Sequence, residues 1–248
     1  MTSYLLGFII SSAIVVLAYY KKTLTTQGAI MAFIIGTIIY GLMGFYAFFI
    51  LLSFFLIAFL IRFFHESQTP EERNAAQVFA IGGVATFFAF LYGYYEYELF
   101  KVLFIGAIAG AAADAFSSEI GQFSKNPPLS ILTLKEMKRG LSGGVSPLGL
   151  LFGFIAALFY SGLAVFALEN IRAVFLILIF AFFNTVLDSI LGLAQVKYKY
   201  PGDKVLFDQK KKGMIIAEGI GWLTNNRVNL ISNLMTIALL ALSYIYLL

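Results

Sequence analysis

Residues 28–64 read GAIMAFIIGTIIYGLMGFYAFFILLSFFLIAFLIRFF, and the first charged side chain in that run is Arg62. A helix needs about 20 apolar residues to cross the roughly 30 Å hydrocarbon core of a bilayer, so the run is long enough for two crossings. No polar loop divides it. Gly41-Leu42-Met43-Gly44 leads straight into Phe45, which requires a tight turn at the glycines or a re-entrant helix.

Working outward, apolar runs of similar length recur along the chain. Hydrophobic residues make up 60% and charged residues 12%, with a mean hydropathy of +0.89, far outside the range of soluble domains. The expected fold class is all-α, a polytopic transmembrane helix bundle of about eight helices forming a single integral membrane domain over 1–248. The expected spans are 3–20, 28–44, 45–64, 77–95, 99–117, 148–168, 172–195 and 228–247. Residues 3–20 lack a preceding basic region and a small-residue cleavage site, and read as a retained helix rather than a signal peptide. Cysteine is absent, which removes disulfides, thiolate catalysis and zinc–cysteine sites. The net charge of +4 needs no nucleic-acid partner, because membrane proteins keep basic residues in their cytoplasmic loops.

Those basic residues set an orientation. With eight spans both termini share a side, and placing them outside leaves Lys21, Lys22, Arg62, Arg73, Lys125, Lys135, Lys138, Arg139, Lys197, Lys199, Lys204, Lys210, Lys211, Lys212 and Arg227 inside. Only Lys101 and Arg172 fall outside, and 15 plus 2 accounts for all 17 basic residues. The division predicts termini outside and two basic cytoplasmic loops, 118–147 and 196–227.

Two acids lie within the apolar spans. Asp114 follows Gly110-Ala111-Ala112-Ala113, small residues that let neighbouring helices approach, and precedes Ser117, Ser118 and Glu119. At helical spacing Ser117 and Ser118 share its face, whereas Glu119 projects elsewhere. Asp188 lies in Asn184-Thr185-Val186-Leu187-Asp188, with Asn184, Asp188 and Gln195 on one stripe. Intramembrane acids are costly and mark working sites by default. Carboxylates and hydroxyls suit magnesium, which keeps waters or substrate phosphates in its shell. Neutralisation of Asp114 by Lys135 or Arg139 for packing alone is the plainer alternative.

Between the acids lies a loop with Lys135, Lys138, Arg139, Gly140, Ser142, Gly143 and Gly144. Glycines allow backbone amides to close on phosphate oxygens that the cations neutralise; orientation alone would also account for those charges. A last polar cluster, Asn225, Asn226 and Asn229, continues to Asn233 and leads into the final span, where capping and helix–helix hydrogen bonding are equally consistent with it. His65 is the only histidine, expected at the interface, and Lys210-Lys211-Lys212 reads as an anchor to anionic lipid headgroups.

The sequence resembles the membrane family that contains the chloroplast phytyl-phosphate kinase and its bacterial, archaeal and animal relatives. The likeness covers nearly the whole chain. It is carried by Ala113-Asp114-Ala115-Phe116-Ser117-Ser118-Glu119-Ile120-Gly121, by Gly140-Leu141-Ser142-Gly143-Gly144-Val145-Ser146, by Leu187-Asp188-Ser189-Ile190-Leu191-Gly192 with Gln195, and by Asn225-Asn226 with Val228-Asn229. Gly28-Ala29 and Gln77-Val78 match its earlier motifs. Two positions depart from it: Asn226 stands where the family has an acid, and Ile81 where it has an asparagine, so a site relying on either group is altered here. The layout is also distantly similar to CTP-dependent polyprenol kinases and phosphatidate cytidylyltransferases, with Asn226-Arg227-Val228-Asn229 in place of their Asp-Arg-x-Asp motif.

The resemblance implies phosphoryl transfer from a CTP-like nucleoside triphosphate to an isoprenoid monophosphate at the inner leaflet of a prokaryotic plasma membrane. Asp114 and Asp188 would hold Mg²⁺ with Glu119 in support, Lys135 and Arg139 would spread developing charge, and Ser117, Ser118, Lys138, Gly140, Ser142, Gly143, Gly144, Gln195, Asn225, Asn226 and Asn229 would contact the substrates. The partners expected are a lipid phosphate, a nucleotide and membrane lipids, with no nucleic acid; the oligomeric state is not legible. Cytidylyl transfer to a lipid phosphate and non-enzymatic transport or flipping of lipid phosphates are the competing readings.

Overall fold

A computed structural model describes residues 2–63 and 72–248. Among the described residues seven helices are long and apolar enough to cross a membrane: α1 (Thr2–Tyr20), α2 (Thr26–Phe63), α3 (Ala75–Tyr95), α4 (Glu98–Gly121), α5 (Pro147–Ala164), α6 (Ile171–Leu193) and α7 (Asn225–Leu247). Two small antiparallel pairs accompany them, β1 (Leu129–Ser130) with β2 (Gly144–Val145), and β3 (Lys197–Lys199) with β4 (Ile215–Glu218).

The count of about eight crossings survives because α2 is two helices. Gly44 has φ +80° and ψ −171°, a backbone conformation open to glycine and strained for other residues. The chain doubles back there: a Cβ built at Gly36 would stand 3.1 Å from the Phe48 ring, although the two are twelve positions apart. Arg73 touches both halves, its carbonyl accepting from Thr25 N–H at 3.1 Å just before the first and its guanidinium lying 5.5 Å from the Phe54 ring centroid in the second. The tight turn at the glycines, rather than a re-entrant helix, is the arrangement adopted. His65 and the final residue of the 45–64 span lie outside the described residues.

A chain of contacts places the loops. At one end, Thr23 and Thr25 bond to Arg73, Arg73 pairs with Glu119, Ser146 bonds to the Gly121 carbonyl, Gly143 abuts Leu193, and Ser142 meets Asn225. At the other end, Tyr4 packs over Gly41, Leu42 over Gly93, Tyr46 donates to the Leu163 carbonyl, and Glu98 accepts from Glu169 N–H and the Tyr244 hydroxyl. Both termini, Lys101 and Arg172 share this second end. The basic loops share the first, which the positive-inside rule assigns to the cytoplasm.

Boundaries shift where local chemistry overrides hydropathy. α4 continues through Ser118 and Glu119 to Gly121, so the loop starts later than position 118. α6 stops at Leu193, which puts Gln195 outside the helix and corrects its assignment to the helical stripe. α3 begins two residues before Gln77, where Asn74 and Gln77 form a reciprocal capping box at 3.1 and 2.9 Å. α4 is the central element, with thirteen buried residues, and its small residues allow α5, α6 and α7 to pack closely around it.

Candidate functional site

α4 and α6 end at the same rim, the one that carries the basic loops, and touch where Asn184 donates to the Gly110 carbonyl at 3.0 Å. A Cβ at Gly110 would lie 3.3 Å from that of Asn184, so only a small residue permits the approach. Four residues onward on each helix, about one turn, stand Asp114 and Asp188. The parallel geometry therefore brings the two carboxylates to one level and within electrostatic reach of each other.

α7 runs antiparallel and supplies the partners for α6. Ser232 Oγ donates to Asp188 Oδ2 at 2.8 Å, Thr236 Oγ1 to Asn184 Oδ1 at 3.1 Å, and Asn233 Nδ2 to the Ala107 carbonyl on α4 at 2.9 Å. These side chains are buried, and hydrogen-bonded partners are what make interior polar groups tolerable. Asp114 differs: half-buried, it has no hydrogen-bond partner among the described residues.

Above this pair the loops converge on Ser142. Its backbone N–H and hydroxyl both donate to Asp208 Oδ2, at 2.7 and 2.6 Å, and its oxygen lies 3.4 Å from Asn225 Oδ1. The glycine-rich turn thus binds an anion already, an internal carboxylate. Gly143, at φ +92°, has no room for a side chain because a Cβ would meet Leu193 at 2.4 Å. Gln195 is buried beside this junction, and neither its amide oxygen nor its nitrogen has a partner among the described residues. Asp208 Oδ1 is likewise buried and unpartnered. Lys197, 5% exposed, donates to the Leu193 carbonyl at the C-terminus of α6 and pairs with Glu218 at 3.1 Å.

Other expected residues lie apart from the acids. Glu119 faces Arg73, whose Nη2 is 3.4 Å from its Oε1. Ser117 is buried against α5, and Ser118 is exposed and bonds back to the Ala115 carbonyl. Lys135 is exposed; Arg139 donates to the Gln122 and Lys125 carbonyls; Lys138 donates to the Leu206 carbonyl and covers the Phe207 ring at 4.2 Å. Neither Lys135 nor Arg139 pairs with Asp114. Gly140 sits at φ +81° with open space around it. Asn226 and Asn229 are half-buried in the first turns of α7, below Asn225.

Among the described residues no cluster of three or more acids and histidines could by itself hold a metal ion. Two carboxylates still fit magnesium, which commonly takes one or two protein carboxylates and completes its shell with water and substrate phosphates. The unpartnered Asp114 carboxylate beside Asp188 matches that donor set.

A model of the integral membrane protein family DUF92 matches residues 9–237. The chain belongs to that family. DUF92 relatives include Protein PGR of Arabidopsis thaliana, 29% identical over 96% of this chain and 95% of its own, and an uncharacterized membrane protein of Methanocaldococcus jannaschii, 26% identical over 87% and 83%. An uncharacterized membrane protein of Synechocystis is 25% identical over 88% of this chain and 82% of its own. No solved structure matches. The DUF92 match spans every helix that carries the polar interior, from α4 through the Ser232 turn of α7.

Four residues of this interior escaped the sequence reading. Ser232 and Thr236 continue the α7 stripe of Asn229 and Asn233 at helical spacing, a signal present in the chain. Arg73 reads in the sequence only as one of the inside charges. Asp208 carries no local signal, because its partner Ser142 is 66 positions away.

Proposed function

We propose that this protein transfers a phosphoryl group from a nucleoside triphosphate of the CTP type to an isoprenoid monophosphate at the cytoplasmic rim of the membrane. The observation that carries the reading is the meeting of Asp114 and Asp188 at one level beneath a glycine-rich turn that binds a carboxylate. Two like charges in a low-dielectric interior repel unless a cation or proton lies between them. Bound there, Mg²⁺ would supply charge neutralisation for the nucleotide phosphates.

The residues of this chain then divide the work. Asp114 and Asp188 hold the cation, and Ser232 fixes the Asp188 rotamer. The Ser142 turn, which offers its amide to Asp208, receives a nucleotide phosphate in exchange for that carboxylate. Gln195, buried and unpartnered, offers both a donor and an acceptor to a polar ligand. An oxygen of the lipid monophosphate attacks the γ-phosphorus, the bond from that phosphorus to the β,γ-bridging oxygen breaks, and nucleoside diphosphate leaves as isoprenoid diphosphate forms. The acceptor is ionised at neutral pH, so no general base is needed. Asn226, where the resemblance implies an acid, leaves the terminal motif Asn225–Asn229 without a carboxylate.

The test is incubation of the detergent-purified protein with each labelled nucleoside triphosphate, magnesium and prenyl monophosphates. Isoprenoid diphosphate and nucleoside diphosphate are the expected products. A CDP-lipid with released pyrophosphate would establish attack at the α-phosphorus instead, and lipid movement without nucleotide consumption would establish transport.

A further inference from the structure

A cleft of about 360 Å³ opens between α1 and the two halves of α2, on the membrane-spanning part of the molecule. Its origin is readable in the packing. At the outer end α1 lies tight on α2, where a Cβ at Gly7 would meet Tyr40 at 2.9 Å and one at Gly36 would meet Ser11 at 2.7 Å. Past Ser11 no residue of α1 is buried. The walls there are apolar, with Ile14 and Ala18 on one side and Ala32, Phe48, Leu51 and Phe55 on the other. From Ser11 to Lys21 the cleft runs about 15 Å along α1 at the helical rise.

Apart from the Ser11 hydroxyl at the outer end, its polar lining is gathered at the cytoplasmic mouth, where Lys21, Thr23 and Arg73 line it. Lys21 is exposed, while Arg73 reaches past the mouth to Glu119 on the last turn of α4. An apolar slot closed at its outer end and rimmed by cations at its inner end is complementary to one hydrocarbon chain with an anionic head. A bare apolar groove would lack that polarity, and a headgroup site would lack the slot.

We propose that this cleft holds the chain of a single-chain isoprenoid phosphate, with its phosphate at Lys21 and Arg73. The identity of this lipid as the phosphoryl acceptor rests on the function proposed above; its binding here does not require turnover. Arg73, through Glu119, ties the mouth of the cleft to the helix that carries Asp114, five residues and about 7.5 Å along the axis. The head therefore sits at the same rim as the paired carboxylates.

Native mass spectrometry of the full-length protein in detergent, with farnesyl monophosphate, farnesol, geranyl monophosphate and dioleoyl phosphatidic acid as probes, tests the site. Farnesyl monophosphate is expected to bind, geranyl monophosphate about tenfold or more weakly, because each methylene adds to burial. Filling the slot with Ala18→Trp or Ala32→Trp is expected to weaken farnesyl monophosphate and farnesol alike, about tenfold. Lys21→Gln is expected to weaken the phosphate and spare the alcohol; Arg73→Gln should do the same, and Lys21→Gln decides the point should loss of the Glu119 pair unfold that variant. Unchanged binding in both tryptophan variants, or equal occupancy by the two-chained phosphatidic acid, would overturn the site. Nucleotide consumption separates the two claims: normal cleft binding without turnover removes the kinase reading alone, and normal turnover with an unchanged lipid KM in both tryptophan variants removes the cleft alone.

Discussion

Ser232 on α7 donates a hydrogen bond from its hydroxyl to Asp188 on α6 at 2.8 Å, in the buried layer directly below the basic loops. That bond fixes one of two facing carboxylates by a partner 44 positions away, and it leaves Asp114 as the acid free to take a ligand. Ser232→Ala is expected to keep the fold, with a stability loss of about 1–2 kcal/mol, and to lower the rate of isoprenoid diphosphate formation about tenfold. Ser232→Thr retains a hydroxyl and should recover part of the rate. Full activity in the alanine variant would show that Asp188 needs no positioning.

Asp208 occupies the amide of the glycine-rich turn. If that turn receives nucleotide phosphate, Asp208 competes with it, and Asp208→Asn should lower the nucleotide KM about threefold or more while kcat changes little. A raised KM in this variant would assign Asp208 to nucleotide binding rather than competition.

Two glycines separate close approach from mere backbone strain. Gly219 has φ +84°, and a Cβ there would stand 2.0 Å from the Gln195 carbonyl, so Gly219→Ala should cost at least about 3 kcal/mol. Gly140 also has positive φ, +81°, with nothing within 4 Å, and Gly140→Ala should cost about 1 kcal/mol. Thermal unfolding in detergent reads the difference; equal shifts would show that the Gly219–Gln195 contact is not formed.

The Arg73–Glu119 pair, with side chains 9% and 15% exposed, joins the α2–α3 connection to α4. Removing one partner strands a largely desolvated charge, so Glu119→Gln should destabilise by about 3 kcal/mol. The Arg73→Gln, Glu119→Gln double variant should recover a good part of that loss. Additive losses would show that the two residues act independently.

The helical bundle was legible because the signal that specifies it, apolar length, is local. The break inside α2 was legible in part: the missing polar loop and the glycines at 41 and 44 called for a tight turn or a re-entrant helix, and the backbone at Gly44 decides for the turn. Asp114 and Asp188 stood out for the same reason: a charge in an apolar run is visible without knowing its neighbours. Their pairing was implied by the resemblance alone, and the Gly110–Asn184 contact one turn away is what sets them at one level. What the sequence did not reveal depends on tertiary distance. Gly28 reads only as part of a motif, yet a Cβ there would lie 2.2 Å from the carbonyl oxygen of Arg73, 45 positions away. Gln77, also read only as part of a motif, serves the local α3 cap with Asn74. Lys138 and Arg139 read as phosphate ligands, yet they bond to carbonyls of the loops around them.

The central claim is that Asp114 and Asp188 together hold one divalent cation with the nucleotide. Electron paramagnetic resonance of Mn²⁺ titrated into the purified protein with CTP measures this directly. One tightly bound Mn²⁺ per chain is predicted for the parent, with that site lost in Asp114→Asn and in Asp188→Asn alongside product formation. Undiminished Mn²⁺ binding and turnover in both variants would contradict the account.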